Sequence, residues 1–468
     1  MKEAMREREL FEETPVLSAI MKLALPTVIG QIIGVIYNMA DTFFIGRTGS
    51  EAMVTAVTIC MPAFMFLTAI SNLFGVGGSS VIARALGQGR PERARLASAF
   101  AMWGCLCVSV IYSLAALVLR HPFLDALGGR DPGVHQLASG YLFVTVVICG
   151  IGTTMSNLLA HLVRSEGRSL EASVGIALGG LCNIALDPLF MFVILTPGHE
   201  VLGAGIATGL SNLIAMVYFI LVIRAGRGKM VIGFTPSGAM LQDGIPSAVL
   251  SIGLPACLMT LFENISYAVL DNLMSAYGIL LQAGIGVAKK VNMLAHCMVR
   301  GMAQGVLPLI GYNYASGDHR RMRKVVLTST TISVLLAAAC MLLSLAFSRP
   351  LISLFIQNGT DSVDYGARFL RILCIGGPFS ACAYAFISFF QATGNGLRSF
   401  ILAILRKGLL DIPLMFILNS AYPIFGIVWA TPITDMVCCA IAILLFMHFL
   451  RHGTNLHRTH RPQPVYDD

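Results

Sequence analysis

The sequence predicts an all-α polytopic membrane protein with twelve transmembrane helices in two related six-helix lobes. Three observations carry this. First, 56% of the 468 residues are hydrophobic and only 12% are charged, about half the charge of a soluble globular protein. Second, the mean hydropathy is +0.77, and apolar runs of spanning length, roughly 20 residues, fill the chain without a long soluble interruption. Third, the two halves repeat each other in order. A soluble enzyme is excluded on composition.

Breaks at charge, Gly and Pro clusters place the spans, in order, at about 17–42, 52–75, 95–119, 137–162, 170–195, 201–224, 247–272, 279–306, 325–348, 367–391, 399–420 and 424–450. The opening "MKEAMREREL FEET" is charged and lacks the apolar core of a cleavable signal. It reads as a cytosolic lead-in over residues 1–16. Spans 1–6 form an N-lobe over 17–224. A Gly-, Pro- and charge-bearing linker follows over 225–246, then a C-lobe with spans 7–12 over 247–450 and a basic cytosolic tail over 451–468.

Orientation follows from Lys and Arg. Loops after even-numbered spans hold Arg84, Arg90, Arg93, Arg95, Arg164, Arg168, Arg224, Arg227, Lys229, Arg320, Arg321, Arg323, Lys324 and Arg398, whereas the opposite loops hold Arg47, Arg120, Arg130 and Arg349. The basic loops and both termini are therefore expected in the cytoplasm. That distribution also reads the net charge of +8 as topology rather than nucleic-acid binding. The twelve cysteines, including "CLC" and "CC", lack metal spacing and read as small packing residues.

Repeats decide the architecture. Pro26 pairs with Pro255 and Gly49 with Gly278 at offset 229, Gly89 with Gly317 at 228, and Gly167 with Gly394 at 227. Pro188 pairs with Pro413 at 225 and Thr208 with Thr431 at 223. Six spans per repeat is an even number, so the halves share one orientation and relate by a pseudo-two-fold along the membrane normal. Parallel repeats of this kind build transporters.

Charges inside the spans mark candidate sites, because an Asp at a helix centre costs roughly 2.5–3.5 kcal/mol on insertion scales. In span 1, "YNMADTFFIG" places Asp41 on one face with Gln31, Gly34, Tyr37 and Asn38. Asp41 reads as a cavity carboxylate or as an edge residue held by Arg47. Span 5 carries Ser173, Gly180, Asn183 and Asp187 on one face, with Pro188 placed to kink the helix. Span 6 adds Gly205, Thr208 and Asn212. Both acids lie toward the same ends of their spans. Two adjoining carboxylates do not readily both stay ionised, so a proton, Na⁺ or a cationic ligand would relieve them and couple their binding.

The second half differs, since Asp41 aligns with Leu270. It has Glu263 instead, on a face with Thr260, Tyr267 and Asp271. Glu263 reads as a second cation site or as a Glu hydrogen-bonded to Asn264 or Gln282. Arg406 and Lys407 in span 11 either snorkel to headgroups or face a central cavity. "GVGGSS" follows a span, not a strand, and reads as helix packing. His161 and His296 read as structural.

Several long motifs resemble the multidrug and toxic compound extrusion (MATE) family over nearly the full chain. They are "YNMADTFFIG", "ARALGQGRPERA", "RSEGRSLEASVGIALGGLCNIALDPLFMF" and "GMAQGVLPLIGYNYASGDHRRMRKV". The resemblance, strongest to the bacterial multidrug branch, implies a V-shaped central cavity between the lobes. It implies a monomeric antiporter of the inner membrane, exporting small amphiphilic, often cationic compounds against inward Na⁺ or H⁺. No cofactor and no nucleic-acid partner is implied. It assigns coupling to Asp41, Asn183, Asp187 and Thr208, with Na⁺ candidates at the first three. Tyr37, Asn38, Gln31 and Asn157 are expected to line the cavity, as are Glu263, Tyr267 and Arg406. Span 10 lacks the Asp that joins Glu263 in another branch, which favours the N-lobe. A flippase for a lipid-linked precursor, from the same wider superfamily, is the alternative. It needs a strongly cationic cavity, and no Arg cluster marks span 1 or 2. An intramembrane aspartyl protease would need a GxGD-type second Asp, which "NIALD" and "KGLLD" do not supply.

Overall fold

The computed structural model describes residues 9–126, 131–356 and 360–452. Residues 1–8 of the expected lead-in, Arg130 and all but the start of the expected basic tail lie outside them. Among the described residues no strand is assigned, and an isolated bridge joins Arg227 to Met230.

Every expected span is helical. Spans 1, 2 and 3 are Val16–Gly46, Glu51–Gly87 and Pro91–Ala126. Span 4 is a bent pair, Pro132–Ile148 and Gly150–Ser165, turning by 49°. Spans 5 and 6 are Ser169–Leu189, continued by a π turn at Phe190–Ile194, and Glu200–Ala225. Spans 7, 8 and 9 are Ile245–Ser275, Ile279–Ala315 and His319–Ala346. Span 10 is again a bent pair, Asp361–Ile375 and Gly377–Ala392, turning by 42°. Span 12 is Phe425–His452. Among the described residues nine helices, or eleven crossings with each bent pair counted once, are long and apolar enough to span a bilayer. Span 11 is the exception. It runs Gly396–Ile404, a π turn at Leu405–Leu409 and Asp411–Ala421, and Arg406, Lys407 and Asp411 lower its apolarity.

The repeat is written into the backbone. Gly49 and Gly278 have φ of 67° and 108°, Gly89 and Gly317 have 67° and 85°, and Gly167 and Gly394 have 87° and 80°. These are the pairs aligned in sequence. Each sits in a turn just beyond or beside a helix end with a positive φ, where a Cβ is disfavoured. Asp318 caps span 9 by accepting from the Arg321 N–H at 2.8 Å.

Across the pseudo-two-fold, span 1 packs on span 8 and span 2 on span 7. Glycines let these backbones touch. A Cβ on Gly253 would lie 1.6 Å from the Leu73 carbonyl oxygen, and one on Gly77 would lie 2.2 Å from that of Val249. Gly305 and Gly301 meet Ala24 and Val28 in the same way. Hydrogen bonds between the halves run only from mid-span to the basic-loop end among the described residues. Gln31 meets Gln304 at 3.2 Å and Asn72 meets Thr260 at 2.9 Å near the middle. Ser80 donates to the Gln391 carbonyl nearer the basic end. There the segment before span 1 crosses over: Phe11 stacks on Tyr312 at 4.8 Å, and Arg321 donates to the Phe11 and Thr14 carbonyls. The largest apolar cluster, including Phe11, Leu23, Val76, Ile252, Leu309 and Phe389, seals this end. The halves are thus joined most closely at this end.

Candidate functional site: two polar pockets and a shared cavity

The first pocket lies within the first half. Asn183 and Asp187 are one helical turn apart on span 5, and the Asn183 Nδ2 donates to Asp187 Oδ1 at 3.2 Å. The same amide reaches Thr208 Oγ1 of span 6 at 3.3 Å. All three side chains are buried. Span 1 closes the pocket: Gly180 brings span 5 against Tyr37 and Ile33. Asp41 lies one turn beyond Tyr37 on span 1. Gly205 brings span 6 against Tyr141 and Thr145. Spans 1, 4, 5 and 6 thus pack around this part of the first half.

Neither acid is in an ion pair among the described residues. Asp41 Oδ1, Asp187 Oδ2 and Asn183 Oδ1 are buried oxygens without a hydrogen-bond donor there. The edge reading fails: the Arg47 guanidinium lies over the Phe43 ring at 5.9 Å. An open cleft of about 400 Å³ adjoins the pocket, lined by Tyr37, Asn157, Gly180, Asn212 and others. Asn38 turns back on its own helix, donating to the Gly34 carbonyl at 2.7 Å. Gln31 leaves this face for Gln304 of the other half at 3.2 Å, because nearly three turns of helix separate it from Asp41. The expected kink at Pro188 is absorbed by the π turn that follows it.

The second half is built on compensated charge. Glu263 accepts from Arg300 Nη2 of span 8 at 2.7 and 2.8 Å, and Tyr384 of span 10 lies beside both. A partner from Asn264 or Gln282 does not form, since Asn264 donates to the Thr260 carbonyl instead. Arg406 does not snorkel. It is 1% exposed, donates to Asp435 of span 12 at 2.8 Å and to Ser380 at 2.7 Å, and lies over the Tyr384 ring at 4.2 Å. Lys407 pairs with Asp411 at 2.8 Å, and Ser266 and Thr431 complete that carboxylate's bonds. Lys289 pairs with Asp271, and Tyr267 lies between Lys289 and Lys407. His296 is held by Ser380 at 3.3 Å.

Between the halves lies an open cavity of about 720 Å³. Its wall includes Asn72, His161, Arg164, Glu263, Arg300 and Gln304. Glu263 therefore lines it. Arg406 does not: Tyr384 stands in front of it. Tyr267 is not on this wall either. Arg164, counted above as a loop cation, stands in the last turn of span 4 and is 3% exposed. Sequence reasoning missed Arg300, Asp411 and Asp435 as partners. The signal was available, since an intramembrane base calls for an intramembrane acid. Among the described residues no group of three or more His, Cys, Asp or Glu is placed to hold a metal.

Twelve helices in two repeated bundles with a polar interior define a multi-pass membrane protein of the two-lobed kind. The MatE family profile matches residues 26–189 and again residues 255–417, and the chain belongs to that family. The "Multidrug export protein MepA" of Staphylococcus saprophyticus is 28% identical over 451 residues, covering 96% of this chain and 97% of that one. The protein of the same name from Staphylococcus aureus (strain MRSA252) matches at the same identity and coverage. Among solved structures, one described as an outward-facing multidrug resistance MATE family transporter of the MOP superfamily superposes with a TM-score of 0.85. It is 24% identical and covers 95% of this chain and 97% of that one. That likeness establishes the twelve-helix, two-lobed fold.

Proposed function

We propose that the chain is a secondary active multidrug exporter that exchanges small amphiphilic compounds, many of them cationic, for inward Na⁺ or H⁺ by alternating access. It works as a monomer in the inner membrane, with its basic loops and termini in the cytoplasm. The lobes are residues 17–224 and 247–450, and 225–246 links them. The observation that carries the reading is an imbalance. Among the described residues neither Asp41 nor Asp187 has a cationic partner, whereas Glu263, Asp411 and Asp435 each have one. A cation entering the first half is attracted; one entering the second meets charges already matched. Asn183 and Thr208 supply neutral oxygens for Na⁺, and the same carboxylates serve a proton. The relatives' names support export of drugs.

The cavity is the ligand's path, and the seam at the basic-loop end closes it toward the cytoplasm. Loading of Asp41 and Asp187 from outside changes the charge that span 1 presents to the cleft and displaces the ligand, reciprocally coupled to it. Each monovalent cation moving inward contributes about 2.3 kcal/mol per 100 mV. An Asp41→Asn variant should reach the membrane at normal levels and lose dye efflux in inside-out vesicles. Full efflux by that variant overturns the coupling role. Separate Na⁺ and pH gradients in the same vesicles identify the ion.

A further inference from the structure

We infer that Arg164 is a binding group for a single carboxylate on an amphiphilic ligand seated in the central cavity. The inference rests on the export reading and adds the ligand class. Arg164 is 3% exposed, and its Nε and Nη2 are buried without a hydrogen-bond acceptor among the described residues. No ion pair involves it among the described residues. Buried arginines are otherwise paired, because a desolvated charge without a partner is costly. Among the described residues the other fully buried cations obey that rule: Arg406 has Asp435 and Lys407 has Asp411. Of these three described residues Arg164 is left over, and it lines the cavity of about 720 Å³.

Its neighbours do not supply the missing anion. Glu166, two residues on, turns its Oε1 to the backbone N–H groups of Val231 and Ile232 at 2.9 and 2.8 Å. His161 is pressed against span 2 at Gly75. Glu263, the one carboxylate on the cavity wall, is held by both hydrogen bonds from Arg300. The wall therefore carries two guanidiniums and one carboxylate, an excess of one positive charge. A guanidinium stays protonated and offers paired donors that match a carboxylate's two oxygens. One uncompensated guanidinium fits one singly charged acid; a pyrophosphate would need more. Asn72, Gln304 and Ser79 on the same wall provide neutral polar contacts, and Met259, Leu307 and Ile387 take the apolar body. The ligand class is thus an amphiphile with a free carboxylate, zwitterionic where it also carries the cationic group.

Rhodamine 19 and rhodamine 6G test this, since they share one chromophore and differ by a free carboxylate against its ethyl ester. Affinities are measured by fluorescence anisotropy on the full-length protein in uncharged detergent. The wild type should bind the acid about tenfold more tightly than the ester. Arg164→Gln should collapse that ratio to about one, and Arg164→Lys should retain part of it. The wild-type ratio stands alone if the Gln variant does not fold. Equal affinities in the wild type, or a ratio that survives Arg164→Gln, overturn the assignment. Efflux of both dyes from cells is measured in parallel. Equal affinities with efflux intact remove only the Arg164 role, whereas preferential acid binding without efflux of either dye removes the export reading and keeps the site.

Discussion

Replacing Asp435 by Asn should destabilise the protein far more than its small change in shape suggests. Asp435 and Arg406 are each 1% exposed, with Nε and Oδ1 at 2.8 Å. Asn keeps the volume and removes the charge, so no cavity forms. What remains is a guanidinium deep in the second half whose other partners, the Ser380 hydroxyl and the Tyr384 ring, are neutral. Breaking a buried pair from one side costs about 3–5 kcal/mol. With an unfolding entropy near 2.1 cal/mol/K per residue, that is about 1 °C per kcal/mol at this chain length, hence a fall of about 3–5 °C in Tm. Arg406→Met should cost less, about 1–3 kcal/mol, because an abandoned carboxylate can take up a proton and a guanidinium cannot shed one. The double variant Arg406→Met with Asp435→Leu should recover most of the loss, since apolar replacement of a buried pair is often near neutral. Thermal unfolding of the four purified proteins in one detergent ranks them. A Tm for Asp435→Asn equal to the wild type, or a double variant no better than it, refutes the reasoning.

Two more expectations concern the seam. Gly253→Ala puts a methyl group 1.6 Å from the Leu73 carbonyl oxygen, and backbone cannot yield as a side chain can. A loss of about 1–3 kcal/mol follows, read as a Tm lowered by at least 1 °C; an unchanged Tm would show that spans 2 and 7 do not touch there. Phe11→Ala removes a ring that is 2% exposed and stacked on Tyr312, a change worth about 3–5 kcal/mol to the local packing. Amide hydrogen exchange over residues 309–316 should accelerate at least tenfold, and unchanged exchange would mean that the segment before span 1 does not hold this end shut.

Much of this was legible in the chain. The aligned glycines announced the duplication because helix ends need a left-handed residue, and a turn keeps its glycine when the flanking apolar residues drift. The pocket of Asn183, Asp187 and Thr208 was legible for a local reason: i, i+4 spacing puts Asn183 and Asp187 on one face, and small residues on span 6 mark a close neighbour. Charges compensated across helices were not legible that way. Arg300 and Glu263 are 37 residues apart, and Arg406 and Asp435 are 29 apart; no periodicity links them. Asp435 sits in the apolar run "ATPITDMVCC" and looks like an isolated cost until Arg406 is placed opposite. Arg164 misled for the opposite reason. A base at the end of a span looks like a topology signal, and only burial distinguishes it from its neighbours Arg168 and Arg224.

The glycine seam has a consequence for speed. Where two helices interlock by branched side chains, parting them forces rotamers to reset on both sides. Here Gly77, Gly253, Gly301 and Gly305 present bare backbone to backbone. Such surfaces can separate and meet again as two flat plates do, with few torsions to reorganise and no teeth to realign. The rate of opening would then be set by the few polar clasps, Gln31 with Gln304 and Asn72 with Thr260, and by the plug around Phe11. The same smoothness leaves little tolerance: any added side chain on those four positions becomes a wedge.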